Sequence, residues 1–318
     1  MKKLILASAI AAITAGSAQA ATVYEGKGLT YKVKGDFQVQ LRKDLGDNQH
    51  LDVEFDDLEI KNSIEYAFGE NLTAFGQLDF GFKNAAEDKQ AGGEQVGSNL
   101  EEAYLGLDFG MVRVAVGKMD FASDEFGVDA AYENKNNEDR FDAQGTSGDD
   151  VIRVDAQVGN LDLVASYELE AKGEDSANGK SLDLYVGTEI AGVELGAAYQ
   201  TRTAETVGAK SEKTWGLSAA FDAGVAKIGA DYSTSDLNGN DKDQLNLVAI
   251  VPVTATTKVA LGMAMLDGDL AADDVNEWYA NVTYKVASQK KISVFAEIAD
   301  TDENDVDLGY LVGMRLRF

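Results

Sequence analysis

The densest run of chemistry-bearing side chains lies between residues 121 and 148, where Asp124, Glu125, Asp129, Glu133, Glu138, Asp139 and Asp142 stand against Lys135 and Arg140. Carboxylates in such excess can attract cations, order water and set a field across a passage. Covalent chemistry needs more. General acid–base or nucleophilic catalysis asks for a base beside a carboxylate or hydroxyl, and the chain's one histidine, His50, lies in Gln49-His50-Leu51-Asp52 on a predicted loop. With no cysteine and a single histidine, disulfides, thiolate metal sites and multi-histidine sites are excluded. Asp236-Leu237-Asn238-Gly239-Asn240-Asp241 begins like a calcium loop, but its sixth position is Asp241 and no glutamate stands at the twelfth, so a solvated turn is expected. The glycines are scattered and form no phosphate-binding loop. The reading is a protein that is not an enzyme and has no catalytic residue, metal or cofactor.

What must position the acidic segment follows from the rest of the chain. Its 318 residues carry 55 acidic against 28 basic side chains, a net charge of −27 that repels nucleic acid. Residues 1–20 read as a cleaved export signal: Lys2 and Lys3, an apolar stretch from Leu4 to Ala15, then Ala18-Gln19-Ala20 before Ala21. No cysteine follows the cleavage site, so no lipid anchor is indicated. Residues 21–318 then alternate apolar and polar side chains almost without pause, the period of strands whose faces meet different surroundings. Sixteen strands are predicted, near 29–42, 52–68, 72–83, 99–109, 111–120, 149–158, 161–170, 181–190, 192–202, 211–222, 225–235, 242–251, 256–266, 275–287, 290–300 and 304–318. Tight links alternate with mostly longer acidic ones, the pattern of an all-β, antiparallel transmembrane barrel. A strand of about ten residues tilted near 45° covers about 23 Å, close to the apolar band of such barrels.

Charge placement sharpens the expectation, because a basic side chain on the lipid face costs about 2–4 kcal/mol at mid-membrane. The apolar parity carries almost no charge and many aromatics, among them Tyr66, Phe68, Trp215, Tyr232, Trp278 and Tyr310. Asn62 and Lys118 disagree; a bulge or a rim position would explain Lys118. The opposite parity, with Lys34, Asp36, Glu59, Lys61, Asp79, Arg153, Asp183, Asp231, Glu297 and Arg315, reads as a wet lumen, since sixteen strands enclose a channel. A soluble β-sandwich is the alternative fold, and an exposed surface loop is the alternative for residues 121–148.

Several motifs resemble the general-diffusion porins of Gram-negative outer membranes: Tyr104-Leu105-Gly106-Leu107 through Phe109-Gly110, then Gly117-Lys118, then Asp124-Glu125-Phe126-Gly127-Val128-Asp129. The chain also ends on Phe318 behind alternating apolar residues. Six residues separate Lys118 from Glu125, a spacing similar to porins of marine gammaproteobacteria. The resemblance implies a homotrimeric sixteen-stranded barrel whose third external loop folds into the lumen, with lipid and lipopolysaccharide around it. It further implies Glu125 and Asp129 as constriction acids, Lys118 as a basic wall residue, and Phe318 as the signal read by the barrel-assembly machinery; the adjacent Asp124, which stands where the family motif has proline, is added to the constriction acids. Height along the strands adds Lys34, Lys61 and Arg153 to the basic wall. The expected function is passive diffusion of small hydrophilic solutes and ions, with cations preferred. A substrate-specific channel, for example for oligosaccharides, and a non-conducting adhesin or structural barrel are the alternatives.

Overall fold

A computed structural model of the chain describes residues 20–69, 71–86, 97–133, 138–171, 178–206, 208–269, 274–287, 289 and 291–318. The predicted signal lies outside the described residues except for Ala20, as does Lys135. In chain order the strands are β1 (Ala21–Gly26), β2 (Leu29–Lys43), β3 (Asp52–Gly69), β4 (Leu72–Gly81), β5 (Asn99–Asp108), β6 (Val112–Asp120), β7 (Ser147–Val158), β8 (Leu161–Glu168), β9 (Lys180–Ile190), β10 (Val193–Thr203), β11 (Glu212–Asp222), β12 (Lys227–Asp236), β13 (Asp241–Pro252), β14 (Thr257–Gly268), β15 (Val275–Lys285), β16 (Ile292–Thr301) and β17 (Gly309–Arg317). From β2 to β17 each strand pairs antiparallel with its neighbours in sequence, and β17 returns to β2. Sixteen strands therefore close a barrel in which the sheet has no free edge.

These are the sixteen expected segments. The last begins at Gly309 rather than residue 304, because Asp307 bridges instead to Gly46 in the connection after β2. β1 is a strand the periodicity missed, since six residues are too few to display an alternation. It takes the stretch of β2 that β17 leaves open: Phe318 exchanges backbone hydrogen bonds with Gly35 at 3.0 Å each way, and Ala21 then pairs with Val33. β17 and β1 thus lie end to end along one edge of β2. On one rim the hairpins are tight; at Ala191 (φ 53°) and Gly192 (φ 82°) both central residues are left-handed, which matches the twist of the flanking strands.

Burial is inverted relative to a protein that folds in water. Leu105, Leu217 and Val312 are 67%, 58% and 58% exposed, whereas Gln38, Asp183 and Ser233 are fully buried. Apolar side chains outside and polar ones inside fit a barrel in lipid, where the outer face needs no partner sheet. The two discordant residues have local explanations. Asn62 accepts a hydrogen bond from the Tyr31 hydroxyl at 2.7 Å, which satisfies its amide oxygen. At Gly117 (φ 136°) the β6–β7 register slips, and Met119 turns into a buried cluster with Phe75, Phe121 and Val151. Lys118 is left opposite Ala103, on the side away from Glu102 and Tyr104, whose side chains point inward.

Candidate functional site

Residues 121–146 connect β6 to β7, and a bond from Phe121 N–H to Thr146 O (2.6 Å) closes their neck. An irregular segment has no ladder for its amides, so a segment inside a barrel must find acceptors on the wall. Here the inward-facing side chains supply them in succession. Ala122 N–H donates to Ser166 Oγ on β8 (2.8 Å), and the Ser123 hydroxyl donates to Asp183 on β9 (2.6 Å). Val128 N–H donates to Asp231 on β12 (3.0 Å), and Ala130 N–H to the Tyr279 hydroxyl on β15 (2.9 Å). Tyr132 and Glu133 N–H take the two oxygens of Glu297 on β16 (2.7 and 3.0 Å). On the return limb Arg140 N–H donates to Ser233 Oγ (3.1 Å).

Apolar seats accompany these bonds. Phe126 and Phe141, rings 4.9 Å apart, pack with Ala122, Tyr185 and Ala198. Val128 joins Ala220, Val248, Ile250 and Ala260, while Tyr132 stacks on Phe295 at 3.9 Å. Phe126 fits because Gly216 has no side chain: a Cβ there would stand 2.5 Å from the ring. Gly216→Leu is expected to unseat the segment, weakening its docking by about 1–3 kcal/mol as overpacking does. The check is trypsin cleavage at Arg140, buried in the docked segment, gained in detergent by the variant while the barrel itself stays intact.

The structure separates the residues that the sequence grouped. Glu125 meets Arg153 of β7, whose guanidinium also binds Asp155 (3.0 Å) and the carbonyls of Asp120 and Phe121 (3.2 and 3.0 Å). Asp124 is exposed beside this group, in the turn Ala122–Glu125. Asp129 lies elsewhere, accepting from the Tyr279 hydroxyl at 2.6 Å. Lys61 binds Asp79 and Glu102 (2.8 and 2.9 Å), and Lys34 is its register partner on β2. Lys118 is outside this set, across from Ala103. Phe318 sits at the seam, its ring edge-on to Phe37.

Sequence reasoning did not single out Asp231, Tyr279 and Glu297 as receptors for the segment's amides, although their lumen parity was visible. It also missed the contact of Glu133 with Gln40 (2.7 Å) and Arg42 (2.8 Å). Burial, reinforced by Asp56 and opposed by Arg42, pushes the Glu133 carboxyl up to about 7. Asp139, which accepts from the N–H groups of Phe141 and Asp142 (2.7 and 3.0 Å), is likewise raised to about 7 by burial.

Comparison with known proteins places this architecture. The profile of the Gram-negative porin family matches residues 7–306. A "Major outer membrane protein" of Pasteurella multocida is 31% identical over 63% of this chain and 52% of its own length, so the match spans about half of that relative. A "Porin-like protein H" of Photobacterium profundum is 24% identical over the full length of both chains. Among solved structures, the trimer form of OmpT from Vibrio cholerae superposes with a TM-score of 0.76 at 17% identity, covering 92% of this chain and all of that one. With its apolar exterior, charged interior and closed ring of sixteen strands, the chain belongs to the Gram-negative porin family and to the bacterial outer membrane.

Proposed function

We propose that the barrel is a water-filled diffusion channel for small hydrophilic solutes and ions, that cations pass preferentially, and that the passage runs between residues 121–146 and the inward faces of β3 to β6. The observation that carries this is the acidic segment bonded side by side to the inward-facing residues of β8 to β16. Acidic groups then face an aqueous path rather than the bulk, where salt screens charges beyond about 10 Å. Glu125 with Arg153 sets one part of the field; Asp124 adds an acid without a base of its own. The inward aromatics do not form a track for sugar rings: Tyr279 and Phe295 hold the segment's backbone and Tyr132, and Tyr185 packs under Phe126 and Phe141. General diffusion is therefore favoured over a saccharide-specific path.

Further parts of the reading are a homotrimer, after the trimer form of the Vibrio cholerae neighbour, and export with removal of residues 1–20. Phe318 would be recognised during assembly and then close the seam beside Gly35. The test is a salt-gradient reversal potential in a planar bilayer. A potassium-favouring sign is expected, and a chloride-favouring sign would overturn the preference. The preference should also depend on pH. Because Glu133 and Asp139 are raised to about 7, they take up protons as pH falls from 8 to 6, removing negative charge. The reversal potential is expected to move toward zero over that interval and to recover on return to pH 8.

A further inference from the structure

The pairing of β4 with β5 contains an irregularity that turns two consecutive glutamates into the lumen. Asp79 pairs with Glu102 and Phe80 with Leu100, which leaves Glu101 as the extra residue of a bulge. Glu102 reaches Lys61 at 2.9 Å. Glu101 folds back over Gly81, where a Cβ would fall 1.9 Å from its Oε1, so only glycine admits it there. One carboxylate oxygen each from Glu59, Asp79 and Glu101 then lies within 4.8 Å of the others.

A second observation points to a ligand. Asp79 is 2% exposed; its Oδ2 pairs with Lys61, but its Oδ1 has no hydrogen-bond partner among the described residues. A buried carboxylate oxygen left unpaired beside two further carboxylates is unfavourable unless a cation neutralises the group. Lys61 is already shared between Asp79 and Glu102 and meets the other oxygen of Asp79. Four carboxylates against Lys61 and its register partner Lys34 leave the cluster net negative.

We propose that Glu59, Asp79 and Glu101 form a divalent-cation site on the channel wall, with calcium, whose oxygen shell is the more flexible, as the preferred ion. Calcium binds oxygens at about 2.3–2.6 Å, so ligands on opposite sides of one ion stand about 4.6–5.2 Å apart. Three oxygens that all lie within 4.8 Å of one another can share such an ion. Magnesium demands near-ideal octahedral geometry and sheds water reluctantly, which three side chains from separate strands serve less readily than calcium's flexible shell. Lumen water completes the calcium shell. An ion here neutralises acids along the proposed path and lowers its preference for monovalent cations; this consequence rests on the channel reading, but binding does not.

The test is calorimetric titration of calcium chloride into the full chain folded in detergent, for wild type and Glu59→Gln/Glu101→Gln. One calcium per chain is expected in the wild type, with magnesium weaker, and affinity at least tenfold lower in the double variant. Equal stoichiometry and affinity in both proteins would overturn the site. If the double variant does not give the folded gel band, Glu101→Gln alone carries the same criterion, since it removes one like charge and leaves the Lys61 pairs in place. Bilayer conductance measured on the same samples keeps the two readings apart: calcium binding without conduction would leave the site and remove the channel, and conduction with unchanged calcium binding would do the reverse.

Discussion

Asp36→Ala is expected to destabilise the folded barrel by about 3–5 kcal/mol, the scale of removing one partner from a buried ion pair. Asp36 lies at the β17–β2 seam, is 1% exposed, and accepts from Arg315 Nε and Nη2 (2.7 and 2.6 Å) and from Arg317 Nε (2.7 Å). Arg315 would keep Asp57, but Arg317 would lose its pairing with Asp36. The seam is where the ring closes, and the bonds between β17 and β2 join residues almost a whole chain apart. Their formation must offset the largest loop-closure entropy in the molecule. The measurement is the urea midpoint of the refolded protein, read from Trp215 and Trp278 fluorescence. Asp36→Asn, which keeps one acceptor oxygen, should lose less. A wild-type midpoint in Asp36→Ala would show that the cluster contributes nothing to closure.

The second large effect is electrical. Asp124→Asn combined with Glu125→Gln removes two carboxylates and leaves Arg153 with Asp155 as its remaining ion-pair partner. The proposed passage then loses negative charge while a guanidinium gains weight in the local field. A cation preference drawn from these acids is expected to fall several-fold, visible as a reversal potential approaching zero in the same salt gradient. Raising ionic strength in the wild type should imitate part of this change, because the field is screened over about 10 Å at 0.1 M salt. If the double variant retained the wild-type potential, the selectivity would have to come from other wall charges.

Much of the fold was legible because a strand's side chains alternate with a period fixed by its own backbone. Every inward–outward assignment needed only neighbours two residues apart. The failures were where that local rule lapses. β1 is too short to show a period. Gly117 and Glu101 sit at bulges, where one extra residue shifts the alternation; the glycine, at φ 136°, marks the first, and no residue type marks the second. Lys118, a wall base by resemblance alone, already shared the parity of Val112, Val114 and Val116, and it stands opposite Ala103. Glu101 and Glu102 could not both be assigned to the lumen from parity.

The sequence by itself determined that this chain crosses a membrane as a charged-inside cylinder with an acidic segment long enough to enter it, because hydrophobic alternation and loop length are properties of contiguous residues. Only the tertiary structure decided which wall groups that segment meets. Val128 finds Asp231, Tyr132 finds Glu297 and Glu125 finds Arg153 across 103, 165 and 28 residues. The physical reason is that such pairs depend on the register of every strand between them and on the closure of the ring, which no local pattern encodes.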